Sequence, residues 1–266
     1  MGTGEPWSER KARWYSEAQR LSDYPEKAMG ALAPLLNGCR SVLDVGAGSG
    51  ALSIPLAKVV EQVTALDPSP AMLKELKRLM EEEGLSNITC LEGRWGEVAV
   101  EPHDLLLVAN VPGILSDVPG FVGQALRVAN QAIAIIQHVG TGRDKFYFDE
   151  LSPLLFGRPY PPREDYLITY IRLHRLGIHA DVRILDYHFD QPFADLDEAV
   201  EFWKEHLHLE GNEHDETLRE FLRMKLLPFG TGLLAPIPKR SAVISWPVRG
   251  ERSLRQPASP TPSFFS

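Results

Sequence analysis

The chain has 266 residues, 44% of them hydrophobic, which is enough to bury one substantial core and to add a subdomain. Its formal net charge of −8 argues against a nucleic-acid partner, because contacts to phosphates depend on clustered Lys and Arg side chains. A chain with two cysteines cannot have a disulfide framework. The sequence has no apolar run long enough to span a membrane and no basic-then-apolar signal at its start, so we expect a cytoplasmic protein.

Two helices are predicted ahead of the first strand. Amphipathic spacing indicates a helix over residues 8–21, which Asp23-Tyr-Pro25 ends, and a second helix follows as far as Leu36. An Asn-Gly pair then stops the second helix. We expect residues 1–37 to form a helical cover on the sheet that follows.

A glycine-rich turn follows the first strand, in the segment Ser41-Val-Leu-Asp-Val-Gly-Ala-Gly-Ser-Gly50. Glycine tolerates positive φ and has no Cβ, so a ligand can lie against the backbone and face the helix predicted over 50–60. A second strand over 62–67 ends in Asp67, roughly twenty residues beyond the first glycine, where an acid can accept both hydroxyls of an adenosine ribose. The pair predicts a nucleoside-binding unit.

Asp44 distinguishes between two cofactor types. Gly46, Gly48 and Ala51 satisfy the G-x-G-x-x-G/A pattern of dinucleotide enzymes, which leaves a nicotinamide-dependent oxidoreductase as an alternative. However, an acid beneath a pyrophosphate would be repelled by about 1 kcal/mol or more, whereas a zwitterionic tail with a sulfonium centre would be attracted. The glycine segment with Asp67-Pro-Ser-Pro-Ala-Met-Leu73 resembles the class I S-adenosylmethionine-dependent methyltransferases, over about residues 38–140.

The resemblance implies a role for each matching position. Asp44 would order the methionine end of S-adenosylmethionine, the turn would pass beneath it, and Asp67 would bind the ribose with its neighbours flanking the adenine. Other interpretations are a strand-end carboxylate for Asp44 and a helix N-cap for Asp67. The implied cofactor-binding residues here are Asp44, Gly46, Ala47, Gly48, Gly50, Asp67, Pro68, Ser69 and Met72.

The end of the third strand, predicted over 87–92, departs from the family. The family commonly ends this strand with Gly-Asp, whose acid receives the adenine amino group, but here Arg94 stands at that position. We therefore expect adenine recognition by backbone groups around Arg94 and Trp95, with Trp95 stacking on the ring or closing the pocket. The alternative for Trp95 is an ordinary core aromatic.

The rest of the chain continues the alternation and then departs from it. Near-continuous apolar strands separated by helices predict an α/β fold with a Rossmann-like sheet of the class I methyltransferase type and helices on both faces. A helical insertion precedes the last strand and is either a substrate lid or a dimer element. The further predicted strands are 104–109, 131–137, 180–189 and 241–246, and the further helices are 70–83, 117–129, 148–156, 163–176, 196–207 and 213–227. The predicted divisions are 1–37, a methyltransferase domain over 38–248 with the insertion at 190–240, and a disordered tail at 249–266.

No catalytic residue can be assigned from the sequence. Asn110, at the tip of the fourth strand, is a candidate for both cofactor and substrate contact, although the N-P-P-[YF] tetrad is absent. His138 follows the fifth strand and is the best titratable candidate, because an imidazole can relay a proton near neutral pH. Tyr15, Tyr147 and Tyr160 are further pocket candidates.

We expect methyl transfer from S-adenosylmethionine to a small molecule, with no metal, no nucleic-acid or membrane partner, and a monomer or homodimer. Methylation of a protein or RNA and a binding module without activity are the alternatives within this fold.

Overall fold

The computed structural model describes residues 7–111, 113–140, 146–161 and 165–248. The predicted tail at 249–266 lies outside the described residues, as do the first six residues of the predicted cover.

Ten strands and nine helices are found in the described part of the chain. The strands are β1 (Ser41–Val45), β2 (Gln62–Asp67), β3 (Ile88–Glu92), β4 (His103–Ala109), β5 (Ala129–His138), β6 (Asp181–His188), β7 (Gln191–Phe193), β8 (Leu227–Phe229), β9 (Gly232–Ala235) and β10 (Pro238–Pro247). The helices are α1 (Glu9–Leu21), α2 (Tyr24–Leu36), α3 (Ser53–Ala57), α4 (Pro70–Glu82), α5 (Val118–Val128), α6 (Phe148–Phe156), α7 (Tyr166–Arg175), α8 (Leu196–Leu207) and α9 (Asp215–Lys225).

Seven strands form the main sheet in the order β3-β2-β1-β4-β5-β10-β6. The first five of these are parallel, whereas β10 runs antiparallel to both β5 and β6. One face packs against α1 to α4 and the other against α5 and α7, so both faces are covered. This confirms the predicted fold class.

The insertion lies at the carboxyl edge of the parallel strands. Ser241 of β10 lies opposite His138, the last residue of β5, and Pro238 lies opposite His188, the last residue of β6. Everything between β6 and β10 therefore begins and ends at this edge, where open α/β sheets bind their ligands. The insertion has its own apolar core, shared with α6 and with Trp14 of α1.

One prediction about local structure is wrong, and another is incomplete. The helix predicted over 50–60 is only α3, because Gly50 has φ +89°, which a right-handed helix cannot accommodate, and the turn continues past it. The insertion also contains a small sheet, β7-β9-β8, in addition to its helices. Strands of three and four residues are too short to show an alternating apolar pattern, so the sequence did not indicate them.

Two kinds of feature are missing from the part of the chain that the structure describes. None of its helices is long and apolar enough to cross a membrane. In the same residues, no group of three or more His, Cys, Asp or Glu side chains is placed to hold a metal ion.

Candidate functional site

The glycine turn is fixed to the end of β2 and leaves space beside one of its glycines. The amides of Gly46 and Ala47 both donate to the carbonyl oxygen of Leu66, at 2.7 and 3.1 Å. A Cβ built on Gly46 would lie 2.2 Å from Val111 Cγ2, whereas a Cβ on Gly48 would meet no protein atom within 4 Å. Gly46 is therefore required by packing within the protein, while Gly48 borders space that a ligand can occupy.

Asp67 at the end of β2 holds the turn in place and keeps acceptor capacity for a ligand. Its Oδ2 accepts from the Gly48 amide and its Oδ1 from the Ser69 amide, each at 2.8 Å. A carboxylate offers about four lone-pair sites, so two further donors, such as two ribose hydroxyls, can still be bound. Asp67 is not the N-cap of α4, because the Ser69 hydroxyl caps that helix by accepting from the Met72 amide.

The flanking positions of the predicted adenine site differ in burial. Ser69 and Met72 are buried beneath the start of α4, whereas Pro68 is exposed. Of these three residues, only Pro68 is accessible to a bound adenine. The role of all three in adenine binding stays a prediction.

Asp44 is a buried carboxylate at the end of β1. Its Oδ2 accepts a 2.6 Å hydrogen bond from the hydroxyl of Ser53, in the first turn of α3. Burial raises the pKa of Asp44 to about 6, the Ser53 hydrogen bond opposes this increase, and the negative charge of Asp67 adds to it. A positive group bound beside Asp44 would relieve this penalty, as expected for the residue facing the amino group of a methionine tail.

The segment after β3 is divided between the candidate site and the core. The Gly93 amide donates to the Asp67 carbonyl oxygen at 3.1 Å, which brings the exposed Arg94 near Asp67 along the chain. Trp95 is half-buried and its ring lies 6.1 Å from that of Phe121 in α5. Its buried indole N–H has no hydrogen-bond acceptor within the described residues. The packing is that of a core aromatic, so adenine stacking by Trp95 stays a prediction.

Helix α1 lies over the glycine turn. The Ser49 hydroxyl in the turn donates to Gln19 Oε1 of α1 at 2.8 Å. Tyr15 stands four residues before Gln19 and therefore on the same side of the helix. Burial raises the pKa of Tyr15 well above its usual value, and the charges of Tyr187, Asp44 and Asp67 raise it further.

A cluster of polar side chains includes Asn110, one of the predicted catalytic candidates, which directly follows β4. Asn110 has a left-handed backbone with φ +55°, and its Nδ2 donates to the Tyr24 hydroxyl at 3.5 Å. The Tyr24 ring lies 4.7 Å from that of Tyr187, whose hydroxyl bonds Ser241 Oγ at 3.1 Å. His138 faces the same side of the sheet as Ser241, because residues directly opposite on antiparallel strands share a face.

The other two tyrosine candidates belong to the insertion core. Tyr147 donates from its hydroxyl to the Pro236 carbonyl oxygen at 2.8 Å and stacks on Trp203 at 5.8 Å. The Tyr160 ring lies 5.1 Å from that of Phe148. Neither contact brings them to Asn110.

An aromatic pocket lies between α1 and the insertion, and Tyr15 forms one of its walls. Its polar lining consists of Lys11, Gln191 and His206. Lys11 precedes Tyr15 by four residues, so Lys11, Tyr15 and Gln19 form one stripe that runs from the pocket to the glycine turn, about 12 Å along α1. The aromatic lining consists of Trp7, Tyr15, Phe146, Phe189 and Phe202.

Several residues of these sites were not predicted. Tyr24 begins α2, whereas Tyr187 and Ser241 belong to two strands far away in the sequence. No sequence spacing links these three residues, so they could not be predicted as a cluster. Ser53 had a usable signal, because a hydroxyl in the first turn after a glycine loop can reach back to the strand-end acid.

Comparison with known proteins identifies the cofactor domain. Residues 42–131 match the family described as a methyltransferase domain. Over 90 residues the chain is 40% identical to the ubiquinone biosynthesis O-methyltransferase of Methylocella silvestris. The aligned region covers 33% of this chain and 34% of that protein. The chain is 24% identical over 167 residues to an uncharacterized protein of Haemophilus influenzae, 61% of each. The chain therefore spans less than two thirds of the length of these relatives.

Solved structures agree with the fold. A methyltransferase from Geobacter sulfurreducens, in complex with S-adenosylhomocysteine, has a TM-score of 0.51 at 19% identity, over 84% of this chain and 91% of that one. A putative methyltransferase from Bacillus halodurans gives 0.51 at 16% identity, over 82% and 99%. The matched segment contains the glycine turn and both carboxylates, so residues 42–131 form a methyltransferase domain, and the solved structures give the chain the fold of these proteins.

Proposed function

We propose that the protein transfers a methyl group to a small molecule bound at the carboxyl edge of the sheet, beneath α1. The observation that carries this proposal is that the polar side chains of Asn110 and Tyr24 meet at the same edge of the sheet as Asp44 and Asp67. An acceptor held at this edge would lie next to the methyl group of the cofactor.

The residues of the turn fit the cofactor. Asp67 has acceptor capacity left for two ribose hydroxyls, and Gly48 leaves room for the ligand to approach the backbone. Asp44 supplies a buried negative charge for the amino group of the methionine end. When bound, S-adenosylmethionine supplies a methyl carbon whose bond to sulfur breaks, with the electron pair staying on sulfur, as an acceptor oxygen or nitrogen bonds to it.

The protein contributes alignment and exclusion of water. Holding a nucleophile in line with the methyl carbon contributes up to about 7 to 11 kcal/mol. We infer that Asn110 and Tyr24 orient the acceptor at the end of β4, and that His138 receives the proton when the nucleophile is a hydroxyl group.

Two observations favour a small acceptor over a protein or RNA. Helix α1 lies over the glycine turn, where the Ser49 hydroxyl donates to Gln19, so it restricts access to the site from outside. The net charge of −8 also opposes an RNA substrate. A nicotinamide dinucleotide is disfavoured because its pyrophosphate would face buried Asp44. A cytoplasmic location and a monomeric or homodimeric state are part of the same proposal.

The acceptor class can be tested with methyl-labelled S-adenosylmethionine. Purified protein is incubated with the label and a cell extract, which is then separated into an ultrafiltrate, protein and RNA. We expect the label in the ultrafiltrate, and we expect Asp67→Ala to reduce it to background. Label that enters protein or RNA and is lost in the same variant would refute a small-molecule acceptor.

A further inference from the structure

Ser53 and Asp44 form an enclosed pair of polar side chains. Ser53 is 0% exposed and Asp44 is 2% exposed, and the 2.6 Å hydrogen bond from the serine hydroxyl to Oδ2 joins the start of α3 to β1. A buried carboxylate is costly to ionise, and a donor to the charged form offsets part of this cost. No described residue donates a hydrogen bond to Oδ1, so this oxygen is left for a ligand.

The Ser53 hydroxyl does not serve as the cap of its own helix. Ser53 is the first residue of α3, whose N-cap position is occupied by Leu52, and no side chain caps that helix. The hydroxyl is bonded instead to an acid nine residues earlier in the chain. The group that this hydrogen bond fixes is therefore the carboxylate, and not the end of the helix.

The titratable groups that face Asp44 are themselves acids. Its charge interacts with those of Asp67 on β2, Tyr15 on α1 and Tyr24 on α2, and its neighbours in register on β2 and β4 are apolar. Burial raises the pKa of Asp44, and Ser53 is the one described side chain whose hydrogen bond lowers it. Without the serine, burial would act unopposed and the carboxyl would take up a proton at a higher pH.

We propose that Ser53 is a positioning residue for the cofactor, because its hydroxyl holds Oδ2 of Asp44 and so presents Oδ1 to the ammonium group of the methionine end. The inference rests on the proposed function, since the ammonium group belongs to the cofactor assigned there. A protonated carboxyl would bind that group weakly, so loss of the serine should appear as a pH-dependent loss of affinity.

S-adenosylhomocysteine and 5′-methylthioadenosine separate this role from the rest of the site. Both contain the adenosine whose ribose Asp67 is predicted to bind, but only S-adenosylhomocysteine has the ammonium group. The ratio of their association constants therefore cancels any effect of pH on ribose binding. Calorimetry on the unmodified protein should give a ratio that is constant above about pH 7 and falls about tenfold per pH unit below about pH 6, where Asp44 takes up its proton.

Three variants of Ser53 test the hydroxyl. Ser53→Ala should move the fall upward by about one pH unit, so that the ratio is about fivefold lower at pH 6 and within about twofold at pH 8. Ser53→Cys nearly keeps the volume but has a weak donor, so it should shift in the same direction, whereas Ser53→Thr keeps the hydroxyl and should retain the original profile. The matched control is Ser152→Ala, which removes a buried hydroxyl that donates to the Arg158 carbonyl oxygen at 2.9 Å and should change nothing.

The outcomes distinguish a positioning role from a structural one. Ser53→Ala and Ser53→Cys profiles that coincide with that of the unmodified protein would overturn the inference, as would a Ser53→Thr profile that matches Ser53→Ala. Equal weakening of both ligands at every pH would also overturn it, because it would mean that the serine only supports the fold of the site. If the unmodified protein binds neither ligand, the proposed function fails as well.

Discussion

Replacing Asp44 with Asn is expected to stabilise the ligand-free protein while weakening cofactor binding. Burial raises the pKa of this carboxyl from 3.8 to about 6, so the ionised form is disfavoured in the folded state. One pKa unit corresponds to about 1.4 kcal/mol, and the shift therefore costs the folded protein about 3 kcal/mol at pH 7. Asn removes the charge and keeps an oxygen that can accept from the Ser53 hydroxyl.

The sign of the pH dependence follows from the direction of the shift. A carboxyl whose folded pKa is raised binds its proton more tightly in the folded state, so its penalty is absent below pH 3.8, grows between pH 3.8 and about 6, and is complete above that. Urea unfolding at pH 7 should show Asp44→Asn to be more stable than the unmodified protein, and the difference should shrink at pH 4. A variant that is less stable at pH 7 would refute the reasoning.

The same variant should lose affinity for S-adenosylhomocysteine. A hydrogen bond to a charged group contributes about 1.5 to 3 kcal/mol, which corresponds to roughly tenfold to a hundredfold in Kd by calorimetry. The control is Asp104→Asn, which changes a carboxylate at the start of β4 that accepts from the Arg40 and Ser41 amides. That site lies at the opposite edge of the sheet, so this variant should bind the ligand normally.

The remaining predictions concern cofactor identity, the turn and the cover. S-adenosylmethionine and S-adenosylhomocysteine should raise the Tm, whereas NAD at equal concentration should not; preferential calorimetric binding of NAD would contradict the cofactor assignment. Asp67→Ala should weaken S-adenosylhomocysteine binding by about 1.5 to 3 kcal/mol per lost hydrogen bond, and unchanged affinity would place the ribose elsewhere. Gly48→Asn should weaken S-adenosylhomocysteine binding without lowering the Tm, because Asn tolerates φ +55° and a Cβ at this position meets no protein atom within 4 Å. A lower Tm with normal affinity would indicate that Gly48 is needed only for the structure. Ligand should slow amide exchange more in α1, where Gln19 contacts the turn, than in α8 and α9. The reverse order would favour the predicted role of the insertion as a lid.

The sheet could be predicted because its strands are nearly continuous apolar runs. A parallel strand buried on both faces needs such a run, and short turns separate the strands from helices with clear caps. The prediction for α3 was wrong because conformation at Gly50 decides where the helix begins, and glycine permits several conformations. Strands β7 to β9 were missed because each is stabilised by pairing with another of the three. The sequence of a single segment does not show which other segment it pairs with.

The positions of Asp44 and Asp67 could be predicted from the sequence, whereas the positions of their partners could not. Asp44 and Asp67 each follow a strand directly, so the chain alone places them at the carboxyl edge. The contact between Ser49 and Gln19 depends on where α1 packs, and no local pattern specifies that. The same reason explains why the aromatic pocket was not predicted, since its walls come from α1, the insertion and the segment before α6.

Helix α1 contacts both the glycine turn and the insertion. Gln19 contacts the glycine turn, while the Trp14 indole N–H donates to Glu198 of α8 at 2.8 Å and its carbonyl oxygen accepts from Gln191 of β7. A ligand cannot displace the helix at one end without straining its contacts at the other, because a helix of this length moves as a unit. If the proposed acceptor binds beneath α1, the ligand that first restricts the remaining motion of α1 would lower the entropic cost of binding the second.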